Sequence, residues 1–72
     1  MGKKVLVPVA QGTEEMEAIT IIDVLRRAGA TVIVASVDKL SIKASGGIEF
    51  MADRLIKDCM ADEFDLIVLP GG

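Results

Sequence analysis

The sequence predicts an α/β fold built on a parallel sheet, and three observations carry that expectation. Short apolar runs rich in β-branched residues recur at 4–10, 31–37 and 64–69. They are nearly continuous rather than alternating, the pattern of strands covered on both faces. Between the first two lies a single helical pattern, so the chain opens as strand–helix–strand, a unit that is nearly always a right-handed parallel crossover.

The first run, Lys-Val-Leu-Val-Pro-Val-Ala, is a buried strand in which Pro8 removes one ladder donor. Gln11-Gly12-Thr13 forms the turn. Thr13 is the expected N-cap, and Glu14, Glu15 and Glu17 crowd the first helical turn, where acids complement the helix dipole. The helix is expected over 14–28, with Arg26 and Arg27 in its last turn and Gly29 just past its end. After the second strand, 40–50 reads as an excursion: extended pieces near Ile42 and Ile48 flank a hairpin turn at Ser45-Gly46-Gly47. Leu55, Ile56, Cys59 and Met60 have the spacing of a short helix within 53–62. The run at 64–69 is the third core strand and leads into Pro70-Gly71-Gly72.

A chain of 72 residues holds at most one domain. One full helix and one short one cannot cover three parallel strands on both faces. The chain is therefore expected to be a fragment, an incompletely described chain, or one piece of a two-chain protein. The remainder would complete the domain.

Composition narrows the function. Eleven acidic and eight basic residues are interspersed, giving a net charge of −3, which does not suggest phosphate neutralisation or nucleic-acid binding. No apolar run approaches a membrane span. With one cysteine and no histidine, neither an internal disulfide nor a zinc cluster can form. A lone cysteine fits a reducing compartment, read here as the cytoplasm. No Gly-rich dinucleotide fingerprint, phosphate loop or nucleophile elbow is present.

Site chemistry has few places to reside. On a helical wheel from Glu14, Leu25, Ala18 and Ile21 define the core face, while Val24 and Ala28 fall at about 280° and 320°. Glu17 falls at about 300°, between those two apolar residues, and Glu15 lies at the stripe's edge. Burying a lone carboxylate is costly, so Glu17 either turns out to water, as first-turn acids often do, or serves chemistry. If the third strand pairs on the far side of the first, strand order reverses there, and ligands of open α/β sheets bind at such a point. The turns 11–17 and 70–72 would then meet, bringing glycine backbone amides beside Glu17. A plain chain turn is the competing reading of Pro70-Gly71-Gly72. Cys59 reads as a small core residue. Met16 and Ile19 are apolar on the nominal solvent side beside an Asp23–Arg27 pair, which fits either scattered surface residues or a helix-mediated dimer with a charged rim.

The elements Gly12-Thr13-Glu14-Glu15-Met16-Glu17, Asp23-Val24-Leu25-Arg26-Arg27-Ala28-Gly29, Val34-Ala35-Ser36-Val37 and Phe64-Asp65-Leu66-Ile67-Val68-Leu69-Pro70-Gly71-Gly72 closely resemble the ThiJ/PfpI superfamily, and within it the branch of the Parkinson-associated deglycase. The resemblance runs through essentially the whole chain. It implies a flavodoxin-like three-layer sandwich, present here as its N-terminal portion, and a homodimer with the first helix at the interface. It implies a cysteine nucleophile on a later elbow, beyond residue 72. On the same resemblance Glu17 matches the glutamate that hydrogen-bonds the cysteine sulfur. Gly71 and Gly72 match glycines whose amides line the pocket, and Met16 and Arg27 match dimer-interface positions. Some relatives carry an arginine after the hairpin serine; Gly46 stands there in this chain.

The implied activity is that of a cofactor-independent glyoxalase or deglycase acting on 2-oxoaldehydes such as methylglyoxal, or on their early protein adducts. A protonated, desolvated Glu17 would donate a hydrogen bond to the thiolate and shuttle protons, although the helix dipole opposes its protonation. The alternative is a redox-sensing stress protein or redox-regulated chaperone using the same cysteine. A protease or amidase of the wider superfamily is a third reading. The chain alone is expected to be inactive.

Overall fold

A computed structural model describes residues 2–71. Strand β1 (Lys4–Val9) is followed by helix α1 (Glu15–Arg27), β2 (Thr31–Ser36), the short strands β3 (Ser41–Lys43) and β4 (Glu49–Met51), β5 (Arg54–Leu55), a one-turn 3-10 helix (Ile56–Cys59), and β6 (Leu66–Ile67). The main sheet has the order β5-β2-β1-β6, and β3 and β4 form a separate antiparallel hairpin. Every pairing in the main sheet is parallel. β1 therefore lies at the centre, with β2 on one side and β6 on the other, the strand-order reversal anticipated above.

Side chains alternate across β1. Val5, Val7 and Val9 face one layer together with Val32, Val34, Ile42 and Ala52, onto which Ile21, Ile22 and Leu25 of α1 pack. Leu6 faces the other layer with Ala35 and Cys59, joined by Ile33, Ile56 and Phe64. A short parallel sheet covered on both faces is what the continuous apolar runs require.

Pro8 sits inside β1, in register with Ala35. Even-numbered residues of β1 turn their backbone toward β6: Lys4 O accepts from Asp65 N and Leu6 O from Val68 N. The N–H that Pro8 lacks would point to that side, beyond the paired part of β6, so no ladder bond is lost there.

α1 ends as expected. Gly29 takes φ of 92°, Gly29 N donates to Arg26 O, and Ala30 N donates to Leu25 O, a Schellman closure. Its start differs from the expectation. Glu14, not Thr13, is the N-cap, its carboxylate accepting from Met16 N at 2.7 Å. Thr13 closes the preceding turn instead, Oγ1 accepting from Ala10 N at 2.9 Å, and is buried by that role.

The helix expected within 53–62 is largely replaced by β5 and the single 3-10 turn. Asp53 explains this. Its N–H donates to Val34 O and its Oδ2 accepts from Val34 N, which draws the chain alongside β2 before any helix can start. The third core strand is also shorter than the 64–69 run, with paired residues only at Leu66–Ile67 and a further bond from Val68 N to Leu6 O.

Candidate functional site

The site is built at the carboxyl ends of β1, β2 and β6. A cleft of about 300 Å³ opens there, lined by Ala10, Gly12, Thr13, Val37, Leu69 and Gly71 among others. The turn after β1 and the turn after β6 meet at its edge. Glu14 N donates to Gly71 O at 2.8 Å, and Gly71 N donates to Glu17 Oε1 at 3.0 Å. The approach is close enough that a Cβ on Gly71 would lie 2.8 Å from Glu17 Oε1.

Glu17 therefore reaches the rim of the cleft through Gly71, but it is an exposed residue in this chain. The desolvated acid expected at this position is not found. Val24 and Ala28, assigned to the core face with it, are exposed too. The packed face of α1 is Ala18, Ile21, Ile22 and Leu25, and it buries the opposite flank of the first turn. The buried acid is Glu15, at 8% exposure.

Glu15 is well satisfied. Its Oε1 accepts from Gly46 N at 3.1 Å and from Ser45 Oγ at 3.2 Å. Hydrogen bonds from its own backbone N–H and from Gly46 N–H hold its carboxyl below the ordinary value; burial opposes this and the Ser45 hydroxyl assists. Gly46 has no room for a side chain, because a Cβ there would stand 2.0 Å from Glu15 Oε2. The Gly46 amide is engaged by Glu15, so the hairpin offers no free anion contact at that atom.

Gln11 is a second residue whose role the sequence did not disclose. Its Nε2 donates to Ser41 O at 2.9 Å and its Oε1 accepts from Lys43 N at 2.8 Å, while Gly12 N donates to Lys43 O. The amide side chain thus acts as an extra strand residue that attaches the hairpin to the β1–α1 turn.

Met16 is 73% exposed and Ile19 53%, with the Asp23–Arg27 pair formed beside them at 3.1 Å. Cys59 is buried on the sheet face away from α1, its Sγ within 3.6 Å of Leu55 O, as a core residue should be. Gly72 lies outside the described residues. Among the described residues no group of three or more His, Cys, Asp or Glu side chains could hold a metal, and no helix is long and apolar enough to cross a membrane.

Comparison with known proteins identifies the family. The model of the DJ-1/PfpI family matches residues 3–72. The chain belongs to the DJ-1/PfpI family. Among DJ-1 relatives, protein DJ-1 homolog B of Arabidopsis thaliana is 56% identical over 71 residues, 97% of this chain and 16% of the relative. The structure of oxidized Toxoplasma gondii DJ-1 superposes with a TM-score of 0.96 at 51% identity, covering 99% of this chain and 39% of that one. The glutathione-independent glyoxalase DJR-1.2 of Caenorhabditis elegans is 36% identical over 62 residues, 86% of this chain and 33% of its own length. The chain thus spans well under half the length of these relatives, and its fold is the corresponding portion of the DJ-1 flavodoxin-like sandwich.

Proposed function

We propose that this chain forms one wall of the site of a cofactor-independent glyoxalase or deglycase, with Glu17 as the acid–base group beside a cysteine supplied by further polypeptide. The observation that carries the reading is the Glu17–Gly71 hydrogen bond at the strand-order reversal. It fixes a carboxylate and a backbone amide together where ligands of such sheets bind. The C. elegans relative named as a glutathione-independent glyoxalase supports the reaction class.

In this reading the thiolate forms a C–S bond to the aldehyde carbon of a 2-oxoaldehyde, and the carbonyl electron pair becomes an alkoxide that takes a proton. Glu17, an acceptor in the resting site, removes the proton from that carbon and returns it to the neighbouring carbon. The resulting thioester is cleaved by water to the 2-hydroxy acid and the free thiol. Gly71 N–H can serve a substrate oxyanion only by releasing Glu17, so carboxylate and substrate compete for one donor. Gly72 would supply the second amide, and Met16 and Arg27 the helix face of a homodimer.

The test is lactate formation from methylglyoxal by the polypeptide that carries both this chain and the cysteine. Glu17→Gln should lower kcat by about 10²–10⁴-fold, the usual contribution of a positioned acid–base group. Turnover equal to the unsubstituted protein would remove Glu17 from the reaction.

A second reading is favoured by one observation, the oxidized state of the T. gondii relative. Here the same thiolate reacts with two equivalents of hydrogen peroxide, each giving up one oxygen and leaving as water, to yield a sulfinate. Protection of client proteins without lactate formation would support this role over the enzymatic one.

A further inference from the structure

We propose that Glu15 is the positioning residue for Glu17, setting the roll of α1 through the β3–β4 hairpin. The inference rests on the reading of Glu17 given above and concerns a residue that the reading does not use.

The first turn of α1 is held on two flanks. On one side Glu15 Oε1 accepts from Ser45 Oγ and Gly46 N. On the other, Glu17 Oε1 accepts from Gly71 N. Residues two apart lie about 200° apart around a helix, so these are nearly opposed attachments. A third bond, Glu14 N to Gly71 O, ties the N-cap to the same glycine. The hairpin cannot drift, because Gln11 and Gly12 bind Ser41 and Lys43, and Ser45 N donates to Thr13 O. Rotating the helix to carry Glu17 away from Gly71 must therefore break the Glu15 bonds. Losing those bonds removes one of the two opposed side-chain restraints on that rotation.

Glu15 does not line the cleft, and its carboxylate bonds Ser45 and Gly46 rather than Gly71, so it acts on the site through the turn it anchors. The arrangement also separates two acids in one turn. Glu15 is directed into the hairpin, where two donors face its Oε1, and Glu17 is left as the carboxylate that faces the Gly71 turn.

The experiment is amide NMR of the full chain labelled with nitrogen-15, read at the Gly71 N–H. Glu17→Ala defines the resonance position without the hydrogen bond. Glu15→Ala should move the Gly71 amide at least halfway to that position. Glu15→Gln, which keeps an acceptor oxygen for Gly46 N–H, should restore most of the difference. Gly46→Ala gives a second route, since its Cβ displaces the Glu15 carboxylate while leaving its charge in place. It also reads the effect if Glu15→Ala fails to fold. A role in stability alone would lower the melting temperature in these variants with Gly71 unmoved, and that result overturns the proposal. Turnover is measured separately: a displaced Gly71 resonance with unchanged lactate formation would count against the glyoxalase reading and leave the positioning intact.

Discussion

Glu15 and Glu17 stand two residues apart and meet opposite surroundings. Both are acids in the first turn, at the positive end of the helix dipole. Glu15 is enclosed by the hairpin and its carboxyl lies below the ordinary value of 4.5. A carboxyl depressed in the folded state contributes stability that is complete above its unfolded value and disappears as the pH falls through the folded one. The melting temperature of the native chain should therefore exceed that of Glu15→Gln at neutral pH, with the gap narrowing as the pH is lowered past about 4.5, the unfolded-state value. A gap that widens on acidification would contradict the assignment. The sequence placed Glu17 inside the apolar stripe and Glu15 at its edge, whereas the structure buries Glu15 and leaves Glu17 exposed. Ile22, at about 80° on the wheel, widens the apolar face toward Glu15 rather than toward Glu17. Nothing local reveals that Ser45 and Gly46 return to meet it, because that contact spans 31 residues.

At the scale of elements, the ends of α1 show what local sequence can specify. The Arg26-Arg27-Ala28-Gly29 ending was legible because a left-handed residue after the last turn is a backbone requirement that glycine meets alone among common residues at little cost. Gly29→Ala would force an L side chain to φ near 92° and should lower stability by about 1–2 kcal/mol in chemical denaturation. An unchanged midpoint would mean that the Schellman closure is not formed. The helix start was less legible. Thr13 is the better cap by residue type, but its Oγ1 is already engaged by Ala10 N, and Glu14 takes the position instead. The 53–62 segment was misread for a similar reason. Its apolar spacing is helical, but the paired bonds between Asp53 and Val34 are tertiary and override it. The hairpin and the first two parallel strands were read correctly, and the third in place though not in length, because glycine pairs and β-branched runs encode them locally.

For the whole molecule, the sheet is strongest at its centre. β1 has neighbours on both sides along its first half, whereas β6 pairs through two residues and leaves Leu66 and Ile67 exposed at 50% and 58%. Hydrogen exchange should follow that order, with the Val5 and Val7 amides slowest and those of Leu66 and Ile67 released early; the reverse order would place the stable unit elsewhere. The strand-order reversal was foreseen as a condition rather than a result, since nothing in residues 64–69 states on which side of β1 they pair. One consequence of a sheet whose strands all run the same way is practical. Its two rims are not equivalent, and the cleft beside Glu17 lies on the rim bearing residues 10–14 and 70–71. A fluorophore or affinity handle grafted at the exposed Glu63, on the rim where the strands begin, would report on the molecule from the far end and leave the chemistry undisturbed.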